Sequence, residues 1–153
     1  LEQVISGGQT GADLAGLIAA QNCGLKTGGW MPKGFLTLDG PRPDLAEQFG
    51  LQEHTSSNYP PRTRRNVQMS DATIRLARLW HTPGERATLK FLMQYRKPYL
   101  DVAVDAAPSP GSVAKWLRAN RVRILNVAGN AERTAPGIEQ IVVQYLQEVF
   151  KLL

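Results

Sequence analysis

Three short stretches of this chain gather residue types suited to holding an anion. In the first, Ser6-Gly7-Gly8-Gln9-Thr10-Gly11 and then Asp13 follow the apolar pair Val4-Ile5 and precede a small-residue helical pattern that runs to Gln21. A strand, a glycine loop and a helix in that order offer backbone N–H groups to an anion, and the helix N-terminus adds the equivalent of about +0.5 charge. No Lys-Ser/Thr pair follows, so this is not a Walker A loop, and the spacing is not GxGxxG. Thr10 and Asp13 have the spacing of a helix cap. Capping leaves Gly7, Gly8 and the uncommitted amide of Gln9 unexplained.

The second stretch is Arg62-Thr63-Arg64-Arg65-Asn66. A helix that opens there carries Arg62 and Asn66 on one face, a guanidinium beside an amide near the positive end. Arginines oppose the macrodipole at a cost of a few tenths of a kcal/mol each unless an anion offsets them. Arg62, Thr63 and Asn66 are therefore read as ligand-facing, and Arg64 and Arg65 as a solvated basic face. The third stretch, Thr82-Pro83-Gly84-Glu85-Arg86-Ala87-Thr88, is a strand-to-helix turn at which Gly84, Arg86 or Thr88 can meet an anion, with a plain turn equally open. Asn126 and Gly129, at the end of the last strand, belong to the same rim. Trp30 and Lys33 lie in a Gly- and Pro-rich loop with a ligand-like context.

The elements that must position these groups alternate. Residues 27–42 read as a long ordered loop with at most one short strand, and Asp44 to Phe49 as a brief helix. After Pro60-Pro61 come a helix to Met69, a strand from Ala72 to Trp80, a helix from Glu85 to Tyr95 and a strand around Leu100, Val102 and Val104. A helix from Ser112 to Asn120, a strand from Val122 to Val127 and a last helix striped with Ile138, Ile141, Val142, Tyr145, Leu146, Val149 and Phe150 complete the chain. Strands alternating with helices predict an α/β fold with a mainly parallel sheet, in one domain over residues 1–153. Ligands of such sheets bind beyond the carboxyl ends of the strands, where all three stretches fall. Arg75 interrupts an otherwise apolar strand, so that strand is expected to be shorter than drawn or partly exposed.

Composition narrows the function. The chain has 153 residues, 14 glycines and a net charge of +5. Its lone cysteine, Cys23, excludes a disulfide scaffold and a thiolate metal site, and His54 and His81 stand too far apart to suggest a preformed metal centre. The longest apolar run, Leu14 to Ala20, falls far short of the roughly 18 residues of a membrane span. With no signal-peptide pattern, a cytoplasmic protein without a membrane partner is expected. Between Arg62 and Lys97 nine Lys/Arg stand against two acids, so that window carries +7 and the remainder −2. No aromatics interleave with Arg62, Arg64 and Arg65, which argues against nucleic acid as a partner.

Taken in order, SGGQTGAD, GGWMPKGF with Asp39-Gly40, FGLQE, RTRRNVQMSDAT, and NVAG with APGI downstream resemble the putative molybdenum carrier family from Ile5 to the final helix. That family is similar to Rossmann-like molybdenum cofactor carriers and to the lysine decarboxylase-like phosphoribohydrolases. The resemblance implies a Rossmann-like three-layer sandwich, homo-oligomers, and a phosphorylated nucleotide-like or pterin-like ligand such as the molybdenum cofactor. Its motifs carry over to Gly7, Gly8, Gln9, Thr10, Gly11 and Asp13, to Lys33, to Arg62, Thr63 and Asn66, and to Ser70-Asp71. The chain departs from the pattern at Pro83-Gly84-Glu85-Arg86, where relatives have a Gly-Thr or Gly-Ser turn. It departs again at Ala131, where an arginine is expected and Arg133 is the nearest substitute.

Two functions from different classes remain open. A carrier that binds a small phosphorylated ligand is the reading the junctions favour. A hydrolase of nucleotides or N-glycosidic bonds is the alternative; it needs a positioned carboxylate, for which Glu85 and Asp71 are the imperfect candidates.

Overall fold

A computed structural model describes all 153 residues. The chain runs β1 (Gln3–Ile5), α1 (Ala12–Asn22), β2 (Lys26–Met31), β3 (Leu36–Thr37), β4 (Gly40–Pro41), α2 (Pro43–Phe49), β5 (Leu51–Glu53), α3 (Tyr59–Met69), β6 (Ala72–Ala77), α4 (Pro83–Gln94), β7 (Tyr99–Ala103), α5 (Pro110–Ala119), β8 (Ile124–Gly129) and α6 (Ile138–Lys151). Six strands form one sheet in the order β5-β2-β1-β8-β6-β7, and every pairing in it is parallel. β3 and β4 form a separate antiparallel hairpin. The last strand in sequence, β8, lies between β1 and β6. Strand order therefore reverses at the sheet centre, where parallel sheets open a crevice for ligands.

The two faces of the sheet differ because side chains alternate along each strand. Val4, Ile74, Leu76, Leu125 and Val127 point to one side and join α1, α5 and α6 through Ala15, Ala19, Val113, Leu117, Ile138, Val142 and Leu146 in the main core. Gly16 lets α1 sit against Val127, since a Cβ there would stand 2.6 Å from that side chain. A smaller cluster of Leu14, Leu17, Met31, Leu45, Phe49 and Leu51 fastens α2 to the same side. The intervening residues Thr73, Arg75 and Asn126 are buried polar groups, on the side that α3 and α4 cover. Helices on both faces of a parallel sheet make a Rossmann-like three-layer sandwich.

Two sequence expectations are corrected. Residues 27–42 are not mainly loop: Lys26–Met31 is a six-residue strand of the central sheet, and its Gly28-Gly29 pair is accommodated because Gly29, at φ 125°, backs closely onto Ser6. Leu51–Glu53 is a further strand, paired with Gly29–Met31 in register. β6 is indeed shorter than drawn, ending at Ala77, yet Arg75 is only 3% exposed. It is buried because Asp101 on β7 takes its Nε and Nη2 at 2.8 and 2.6 Å, while Trp80 and Tyr99 pack against the guanidinium at 5.2 and 5.6 Å.

Candidate functional site

Between the polar side of the sheet and the first turns of α3 and α4 lies a cavity of about 370 Å³. The β1–α1 loop contributes Gly7, Gln9 and Asp13; α3 contributes Tyr59, Pro60, Arg62, Thr63 and Asn66; α4 and its cap contribute Thr82, Pro83, Gly84, Glu85, Ala87 and Thr88. The end of β8 and the segment after it supply Asn126 to Ala131 and Thr134, and Leu38 closes the hairpin side. Its size falls in the range of small-molecule sites.

Arg62 dominates the charge of this wall. It is on the inward side of α3 with Asn66 and Val67, and only 9% of it is exposed. Pro60 and Pro61 bring no N–H to this helix start, so the cation rather than a row of amides faces the cavity. Its one ionic partner is Asp13, at 3.5 Å from Nη1, and its Nε has no acceptor. Burial pulls the Arg62 guanidinium below its usual range, against Asp13 and Tyr59. Burial also raises the Asp13 carboxyl, against Arg62 and the amides of Gln9, Gly7 and Gly129. Both partners are displaced toward neutrality because desolvation outweighs one long contact. A guanidinium stays charged, so the shift expresses an unmet demand for an acceptor.

Glu85 is the second charged group. It shares the inward stripe of α4 with Thr88 and Leu92, and it is 3% exposed. Burial pushes its carboxyl up to about 7; Arg75 opposes this, Asp13 and Asp101 add to it, and the Asn130 amide lowers it. Thr82 caps α4 by accepting the Glu85 N–H at 3.2 Å. A Cβ on Gly84 would meet nothing within 4 Å, so the backbone there is open to close approach.

The candidate residues divide into three groups. Gly7, Gln9, Asp13, Arg62, Thr63, Asn66, Gly84, Thr88, Asn126 and Gly129 converge on the cavity. Several are already committed: the Gln9 side-chain oxygen, read as free from the sequence, accepts from the amides of Thr10 and Leu38, and Asn66 holds Trp30 through both its N–H and C=O at 2.9 and 3.1 Å. Asn126 donates to Thr73 at 3.1 Å.

Gly8, Thr10 and Gly11 shape the loop without lining the cavity. Gly11, at φ 85°, packs on the backbone of Asn130 to Glu132, and the Thr10 hydroxyl accepts the Glu132 N–H, so neither Thr10 nor Asp13 caps α1. Lys33 is exposed on the turn after β2. Ser70 and Asp71 stand at the start of β6, the opposite end of the sheet, where the Asp71 carboxylate accepts the amides of Arg123 and Ile124. Asp71 is thereby removed as a carboxylate for chemistry in the cavity. Arg133 is not among the lining residues and donates to the Leu38 carbonyl. Arg64 and Arg65 are exposed, with Arg65 over the Trp30 ring at 5.3 Å.

Sequence reasoning missed the lining role of Asn130, whose carboxamide ties the segment after β6 through the amides of Arg78 and Leu79 and the Leu79 carbonyl. It also left Glu85 outside the binding set, although the spacing of Glu85, Thr88 and Leu92 is that of one helix face.

A parallel sheet with helices on both faces and a glycine-bordered cavity at its switch point defines a Rossmann-like α/β domain. The chain belongs to the circularly permutated YpsA SLOG family (cpYpsA), whose model matches residues 4–150. It is similar to a solved structure from Syntrophus aciditrophicus SB described as a putative molybdenum carrier protein. The two share 37% identity and superpose with a TM-score of 0.87, over 98% of this chain and 94% of that one. The resemblance to molybdenum carriers that the motifs carry is thus met by family and fold alike. No curated protein matches the chain.

Proposed function

We propose that this protein binds and carries a small phosphorylated ligand, nucleotide-like or pterin-like, whose phosphate sits against Arg62. The observation that carries this reading is the Nε of Arg62, which has no acceptor although the side chain is buried at the wall of the cavity. Such a donor is costly unless something accepts from it, and a phosphate oxygen is a strong acceptor for a guanidinium. The amide of Gly84 in the first turn of α4, where a Cβ would meet nothing within 4 Å, suits the rest of such an anion, whereas the Thr63 and Thr88 hydroxyls are spent on the carbonyls of Tyr59 and Gly84. The molybdenum named for the similar structure would come to this chain as cargo within its cofactor. The phosphate of that cofactor fits the Arg62 wall, and the lining holds no Cys or His to grip the metal directly.

Thermal shift and calorimetry with nucleoside monophosphates, a phosphorylated pterin and molybdate test the proposal, alongside mass spectrometry of the gently purified protein. A phosphorylated compound should raise the melting temperature, and Arg62→Ala should abolish the rise. Protein that purifies empty and responds to none of these compounds would overturn it.

A hydrolase reading is favoured by one observation, the Glu85 carboxyl in the cavity with a pKa raised to about 7, the range suited to a general acid or base. Release of free base from a nucleoside monophosphate, lost in Glu85→Gln, would establish it; intact nucleotide after prolonged incubation would dismiss it.

A further inference from the structure

The Arg75 guanidinium stands beside Glu85 yet does not satisfy it. Its Nε and Nη2 donate to Asp101 at 2.8 and 2.6 Å, and its Nη1 donates to the main-chain carbonyl of Glu85 at 3.1 Å. The same Nη1 is 4.0 Å from Oε2 of the carboxylate, beyond hydrogen-bond range, and Oε2 has no donor. A carboxylate taken out of water demands hydrogen bonds or a proton. Glu85 lines the same cavity as Arg62, from α4 rather than α3. One small cavity thus carries two buried, under-satisfied groups of opposite character: a cation whose Nε lacks an acceptor and an acid whose Oε2 lacks a donor.

We propose that Glu85 reads a donor edge on the ligand, so that the cavity selects phosphorylated molecules bearing adjacent N–H and NH₂ groups, as on the 2-amino-4-oxo ring of guanine and of pterins. This inference rests on the phosphate-binding reading above and names the ligand class for the same site. An ionised carboxylate is acceptor-only, and its two oxygens match two parallel donors. Hypoxanthine keeps the ring N–H and lacks the amino group. Adenine presents a ring acceptor, which an ionised carboxylate repels. A site built to pair with a substrate N–H discriminates strongly against the analogue that lacks it. The elevated Glu85 pKa agrees, because two donors would draw the carboxyl back to its ionised form.

The test is calorimetry at pH 7.5 with guanosine, inosine and adenosine monophosphates and a pterin monophosphate. Guanosine monophosphate, the pterin or both should bind wild-type protein about tenfold or more tighter than the inosine and adenosine compounds, the scale of a hydrogen bond to a charged group. Comparison of the first two distinguishes a guanine from a pterin as the source of the edge. Glu85→Gln should compress the guanosine-to-inosine ratio to roughly threefold or less, because its amide replaces one acceptor with a donor. Wild-type affinities for the guanosine and pterin monophosphates no tighter than for inosine monophosphate, with all of them lost in Arg62→Ala, would overturn the edge reading while the phosphate reading stands. No binding of any of the four would overturn both. The wild-type ratio decides even if the Glu85 variant does not fold.

Discussion

The Arg62 guanidinium occupies the space that a Cβ on Gly7 would need: Nη1 and Cζ both lie inside van der Waals distance of that position, and Asp13 Oδ2 is 2.8 Å from it. The glycine of the first loop is thus a steric condition for the cation of the third helix. Replacing Gly7 with Ala should displace Arg62 from Asp13, lower stability by about 1–3 kcal/mol and weaken phosphate binding together. Urea melts and nucleotide titrations of the same variant check this, and unchanged affinity would show that Arg62 does not need its place over the loop.

Glu85 makes stability depend on pH in a definite direction. Its carboxyl titrates near 4.5 in an unfolded chain and at about 7 in the folded one. Between these values the folded chain holds the extra proton, so stability is highest below about 4.5, falls as pH rises, and the loss is complete above about 7. The difference amounts to on the order of 3 kcal/mol. Asp13, also raised, acts in the same sense. Glu85→Gln should flatten the decline between pH 5 and 8 in denaturant melts; an unaltered slope would contradict this account.

Asn66 is a strut for the adjoining strand. Its carboxamide satisfies both backbone groups of Trp30, so Asn66→Ala should cost about 1–3 kcal/mol through the unsatisfied amide and carbonyl of β2. Hydrogen exchange at Trp30 reports the same loss locally, and protection equal to that of the native chain would rule it out.

Asp101 keeps Arg75 tolerable inside the sheet. The carboxylate is partly exposed, its side chain at 41%, while the Arg75 side chain is at 4%. Asp101→Ala strands a buried cation and should destabilise by about 2–4 kcal/mol, with Asp101→Asn recovering a part. Equal melting temperatures for the three proteins would refute it.

Element types and the three anion-suited junctions were legible in the sequence because they are local. A glycine loop between an apolar pair and a small-residue helix, Arg62 and Asn66 four residues apart, and the stripe of α6 depend only on neighbouring residues and helical period. The strand at Lys26–Met31 was not legible, since Gly28 and Gly29 read as loop until Ser6 and Leu51 lie alongside. Which end of the sheet a residue reaches was likewise decided by strand order: the parallel placement of β8 between β1 and β6 brings Asn126 to the cavity and leaves Ser70-Asp71 at the opposite end of the strands. Burial of Arg75 depends on β7 supplying Asp101, and only then is Oε2 of Glu85 left without a donor. The sequence by itself determined the kinds of groups available to an anion. The tertiary structure decided which of them meet and which remain unsatisfied, because long-range pairing sets both register and the desolvation each charge must bear.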